Sequence, residues 1–180
     1  MAAKFPSLAG QLLISHPLQQ DENFGETVVL MHVHDREGAM GVILNRPMGK
    51  CLGELKVELM GSPLASIPLH LGGPVATDRM AFGGWRFGSR GPAALRYGIS
   101  EAEAIELTQD EQFHLFAFVG YAGWSPGQLE QELKQKVWVT ARFERQHEHL
   151  EGRNLWLRLL WQHRPDLLLE MKSPEVLGLN

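Results

Sequence analysis

The sequence predicts an α+β domain, and three observations carry that prediction. Apolar runs joined by short glycine-bearing turns fill the first half, which is the pattern of antiparallel hairpins. Helix-start signals gather in the second half, and the two kinds of element do not alternate as βαβ units. The length, 180 residues, fits one domain, and a composition 44% hydrophobic and 21% charged excludes a disordered chain.

Each element has a local reason. Gly10 to Ser15 is a short apolar run and reads as a first strand. Asp21 to Phe24 is a turn, and Thr27 to His34 is rich in β-branched and apolar residues. Asp35-Arg36-Glu37-Gly38 is a turn signal, after which Met40 to Leu44 returns, so the two runs form a hairpin. Leu52, Leu55 and Leu59 recur at helical spacing and predict a short helix over 52–60. Ile67 to Leu71 is a strand running into Gly72-Gly73-Pro74, and Met80 to Tyr97, punctuated by glycines, is one or two irregular strands. Ser100 and Glu103 form a capping box for a helix to about Gln109. His114 to Val119 is a buried strand. Ser125-Pro126-Gly127-Gln128 is a second helix start, with Pro at the first helical position and Gln in the capping-box slot. That helix continues to about Gln135, Val137 to Thr140 is a strand, and Leu155 to Trp161 is a helix ending before Arg164-Pro165.

Charge and composition narrow the function. Seventeen basic and 21 acidic residues leave a net charge of −4, which disfavours nucleic acid and anionic lipid as partners. The basic residues from Arg142 to Arg153 are interrupted by Glu144, Glu148 and Glu151 and read as a solvated face. The single cysteine, Cys51, forms no internal disulfide and reads as a small hydrophobe, compatible with a reducing cytoplasm. The run near the N-terminus is too short and interrupted for a signal peptide, and no stretch reaches membrane-span length.

Four constellations bear on chemistry. Gly123-Trp124-Ser125-Pro126-Gly127 matches G-x-S-x-G between a strand and a helix, where a nucleophile elbow sits. Pro126, however, removes the N–H that normally supplies the oxyanion hole. Ser125 therefore reads first as a helix cap and only second as the nucleophile of a serine hydrolase. His32 and His34, two apart on a strand, should point to one face and are the candidate metal pair, with His147 and His149 on a helix or loop; exposed strand histidines are the simpler reading. The glycine-rich stretch from Gly83 to Gly91 lacks the ending of a phosphate loop, and Glu101 and Glu103 serve a helix dipole. No cofactor is expected.

Several segments together resemble the YqgE/AlgH family of small bacterial proteins. They are Gly10 to Pro17, Asp21 to Phe24 with Thr27 to Leu30, Gly38-Ala39 through Asn45-Arg46-Pro47, Leu71-Gly72-Gly73-Pro74-Val75, and Val119 to Glu130. The likeness covers residues 8 to 140 and fades between Arg79 and Gln112. The resemblance implies one such domain over 1–180, with meandering, partly bifurcated β-sheets forming a pseudo-barrel flanked by helices. It implies no established activity; one branch carries a transcriptional-regulator label without a DNA-binding motif. The matching turns either hold the fold together or build a shared surface from Asn45, Arg46, Gly72, Gly73, Trp124 and Gln128. The expectation is a cytoplasmic, non-enzymatic binding or regulatory protein whose partner is a protein or small molecule. Serine hydrolysis at Ser125 and direct transcriptional regulation are the alternatives.

Overall fold

The computed structural model describes residues 5–87 and 93–171. Their order is β1 (Gln11–Ser15), β2 (Val28–Asp35), β3 (Gly38–Ile43), β4 (Pro47–Cys51), α1 (Leu52–Leu55), β5 (Pro68–Leu71), β6 (Val75–Phe87) and β7 (Ala93–Ile99). There follow α2 (Glu101–Leu107), β8 (Phe113–Trp124), α3 (Gln128–Lys134), β9 (Trp138–Arg142), α4 (Gly152–His163) and α5 (Pro165–Met171). The strands make one curled, half-barrel sheet flanked by helices. Its path runs β4-β5-β8-β3-β2-β1-β9, with β6 joined to β8 and β7. A strand has two edges, yet β8 pairs with β5 in parallel and with β3 and β6 antiparallel. The sheet therefore forks at β8, as the family resemblance implies.

The predicted hairpin forms with Asp35 opposite Gly38. β1 and β2 read as unbroken apolar runs because both faces are covered. Leu12, Ile14, Val28 and Leu30 face a core completed by Phe118, Trp156 and Leu159. Leu13, Val29 and Met31 face a second one with Trp124, Leu129 and Trp138. Trp156 of α4 also donates its indole N–H to the Ser15 carbonyl at 2.9 Å, tying the helix across β1. A third cluster gathers Leu52, Leu64, Phe82, Phe113 and Leu115. No helix among the described residues is long and apolar enough to cross a membrane.

Several expectations need correction. The helix over 52–60 is one α turn followed by a 3-10 turn at Val57–Leu59, because Lys56 leaves helical geometry at φ −121° and ψ 91°. The short strand β4 carries four exposed residues in five and lacks an apolar signal. By contrast, the irregular strands expected within 80–97 do form, as β6 and β7 paired antiparallel with a register shift, while Gly88 and Gly91 lie outside the described residues. Strand β8 runs on through Gly120 to Trp124, so the first half of the most specific motif is strand rather than turn. Pro165 does not merely end a helix; it begins α5.

Candidate functional site: an open cleft at the end of β8

The matching motifs first explain the fork. A Cβ on Gly72 or Gly120 would collide with backbone across the gap, Gly72 with the Gly120 carbonyl and Gly120 with that of Gly73. Gly120 also sits at φ +67°, where glycine is favoured. The bare backbones approach closely enough for Gly72 to donate to the Val119 carbonyl and accept from Ile43, both at 2.8 Å. One glycine turn thus stitches β3 to β8.

Asn45 and Arg46 pin what surrounds this turn. Asn45 is buried, and its Oδ1 accepts from the Val28 N–H at 2.8 Å. Its Nδ2 donates to the Glu26 and Gly152 carbonyls. Arg46 donates to the Glu22 and Gly25 carbonyls and so holds the turn at 21–25. Arg46 and Gly73 also line a small recess of about 80 Å³.

Trp124 is an anchor, only 6% exposed. Its indole N–H and that of Trp138 both donate to Glu132 Oε2, at 2.8 and 2.7 Å. Gln128 donates to Glu132 Oε1 at 3.0 Å. One carboxylate on α3 thus collects three donors and fixes the helix against the sheet. Glu132 is not among the site residues the sequence suggests; its signal is the i, i+4 spacing from Gln128.

Ser125 is exposed, and its place differs from the expected cap. Helix α3 begins two residues later, with Gly127 at φ +77° as the N-cap. Ser125 instead starts a turn: its carbonyl accepts from Gln128 N, and its N–H donates to Gln128 Oε1, both at 3.0 Å. Gln128 makes the reach-back expected of a capping box, but to Ser125. Among the described residues no histidine is hydrogen-bonded to the Ser125 hydroxyl. The hydrolase reading has no assembled base.

His32 and His34 do not share a face. A bulge between Met31 and Val33 makes His32 the extra residue, so the alternation flips after it. The His32 ring lies 5.7 Å from Tyr97 on the first core's side. His34 turns to the other side and accepts from the Leu8 N–H at 3.1 Å through Nδ1. Its proton therefore sits on Nε2, 3.3 Å from Glu130 Oε1 but off the line of a hydrogen bond. The pair cannot converge on one ion. No group of three or more potential ligating side chains occurs among the described residues.

A broad concavity lies beside the end of β8. It has a volume of about 540 Å³ and is wide open to solvent. Gly123 lines it, and a Cβ there would meet the Tyr121 ring at 3.2 Å and Val75 at 3.9 Å. Val33, 41% exposed, and Val75, 37% exposed, supply apolar wall together with Met40 and Tyr121. Asp35 and Glu37 are its charged lining residues. Trp124 and Ser125 border this cleft, whereas Arg46 and Gly73 border the separate small recess. Pro74 in the recess and Val75 in the cleft are consecutive, so the two adjoin along the Gly-Gly-Pro-Val turn.

A forked half-barrel, clamped by a Gly-Gly-Pro-Val turn against a strand ending in Gly-Tyr-Ala-Gly-Trp, defines a distinct class of small α+β proteins. The chain belongs to the AlgH-like family, whose model matches residues 12–167. It is 36% identical to a UPF0301 protein of Streptomyces coelicolor, over 97% of this chain and 96% of the relative. It is 30% identical to a UPF0301 protein of Bacteroides fragilis, over 95% and 90%. The fold is similar to the solution structure of AlgH from Pseudomonas aeruginosa, with a TM-score of 0.66 and 26% identity, covering 96% of this chain and 98% of that one. It is also similar to a crystal structure from Corynebacterium diphtheriae, with a TM-score of 0.71 at 22% identity and coverage of 96% and 95%. The family is one of uncharacterised bacterial proteins.

Proposed function

We propose that the chain is a non-enzymatic binding protein of the cytoplasm, and that it holds its partner in the cleft at Gly123. The lining chemistry carries this reading: apolar walls at Val33, Met40, Val75 and Tyr121 lie beside a rim whose charged lining residues, Asp35 and Glu37, are both acidic. Such a surface suits a protein segment that presents one large apolar side chain flanked by lysine or arginine. The single cysteine suits a reducing compartment. Any regulatory role, transcription included, then runs through that protein partner, since a net charge of −4 opposes contact with DNA phosphates.

A panel of synthetic peptides tests the reading by fluorescence polarisation. Peptides with leucine or phenylalanine between basic residues should bind, more weakly as salt rises. The double variant Asp35→Asn, Glu37→Lys should lose about tenfold or more in affinity. Asparagine at 35 keeps the acceptor that Asp35 Oδ1 offers the Glu37 N–H, so the turn survives. Equal binding of acidic peptides, or an unchanged affinity in the double variant, would overturn it.

A further inference from the structure

A second crevice shares no lining residue with the cleft at Gly123. Its inner chamber, about 40 Å³, lies between the sheet and the C-terminal layer. His70, Trp85 and Phe116 line it from the sheet, and Phe143, His147 and Glu151 from the other side. An outer cleft of about 220 Å³, bordered by Lys50, Cys51 and Pro68, shares His70, Phe116 and Glu151 with the chamber. The two therefore adjoin at those three residues.

The ring nitrogens of this crevice divide into spent and open. His147 is spent: Nδ1 accepts from the Glu144 N–H at 3.2 Å, and Nε2 lies 2.8 Å from Gln162 Oε1. His70 is half spent. Its Nδ1 lies 2.9 Å from the Leu44 carbonyl, which only accepts, so Nδ1 carries the proton. Burial holds the His70 pKa below the ordinary value, which keeps the ring neutral and leaves Nε2 as a bare acceptor. Trp85 is 5% exposed, and its indole N–H has no partner among the described residues. Buried donors are nearly always paired, so this one points to a missing acceptor. The surroundings are flat and aromatic: Trp85 stacks on Phe116 at 4.6 Å, and His70 meets Phe116 edge-on at 4.9 Å.

We propose that this crevice binds a small planar amide, a ring lactam or carboxamide, whose carbonyl accepts from the Trp85 indole N–H and whose own N–H donates to His70 Nε2. The ring lies against Phe116 in the outer cleft, where aromatic faces favour a flat body. Water could satisfy the same two atoms and is the competing occupant.

The test titrates the ¹⁵N-labelled full chain with 2-pyridone, whose carbonyl and N–H share one edge. The Trp85 indole cross-peak should shift saturably while those of Trp124 and Trp161 stay in place. N-methyl-2-pyridone lacks the donor and should bind about tenfold more weakly. His70→Leu should abolish the shift, and the N-methyl comparison decides the matter even if that variant fails to fold. Absence of a Trp85 shift, or equal shifts from both lactams, overturns the proposal. Water cross-relaxation at the Trp85 indole without a lactam response identifies the chamber as a water site and overturns it equally.

Discussion

At the residue scale, the side chains of Asn45, Arg46, Trp124 and Gln128 are committed to the protein's own backbone and carboxylates. Asn45 meets three backbone groups from two distant segments, at Glu26 and Val28 and at Gly152. Replacing it with alanine leaves the buried Val28 N–H without an acceptor and frees the other two carbonyls. Asn45→Ala should therefore cost about 3 kcal/mol, read as a lower urea midpoint with an unchanged slope. A cost below about 0.5 kcal/mol, the range of ordinary surface changes, would contradict the clamp. Asparagine before Arg-Pro is visible in the sequence as a turn signal, but its partners are not. Gly152 is 107 positions away, and no local pattern announces that contact.

At the element scale, the fork in the sheet depends on glycines that differ in what surrounds them. Gly120 and Gly49 both adopt φ +67°. A Cβ on Gly49 meets nothing within 4 Å, whereas one on Gly120 drives into the Gly73 carbonyl oxygen and meets that of Val75 at 2.9 Å. Gly49→Ala should cost about 1 kcal/mol, the strain of an alanine at positive φ. Gly120→Ala carries the same strain plus the collision and should cost more than about 3 kcal/mol, or prevent folding, in paired thermal melts. Equal losses would show that crowding at the fork is unimportant. The hairpin β2–β3, the capped helix α2 and the strands β1, β5 and β9 were legible, because turn chemistry and side-chain periodicity are local. The extension of β8 to Trp124 was not. Its glycines look like turn residues until Gly73 is seen packed against them.

At the scale of the whole molecule, one buried and two partly buried histidines couple folding to pH. Burial lowers the pKa of His70, and it is the largest cause of the lowered values of His32 and His16 as well. In each case the ordinary value of 6.5, which applies to the unfolded chain, lies above the folded one. The unfolded state thus takes up protons first as pH falls, and stability rises with pH through this window. Urea midpoints should be steady above about pH 7 and fall below about 6.5, before the carboxylates titrate. A midpoint that rises on going from pH 7 to pH 5 would contradict this account. The exposed Arg164–Asp166 pair contributes no comparable term, since solvent screens it.

The sequence by itself determined the mixed fold class, the hairpin around Asp35 to Gly38, the helix beginning after Ser100 and the family to which the chain belongs. Each of these is written in turn residues, apolar period or contiguous motif, all of which act over a few positions. Only the tertiary structure decided that His32 and His34 face apart, because a bulge depends on the register with β3. It alone set Trp124 as an anchor on Glu132, placed the cleft at Gly123 and left the buried Trp85 indole N–H without a partner among the described residues, in a chamber that His70 also lines. Those features join strands and helices far apart in the chain, and a cavity is defined by what its walls leave unfilled.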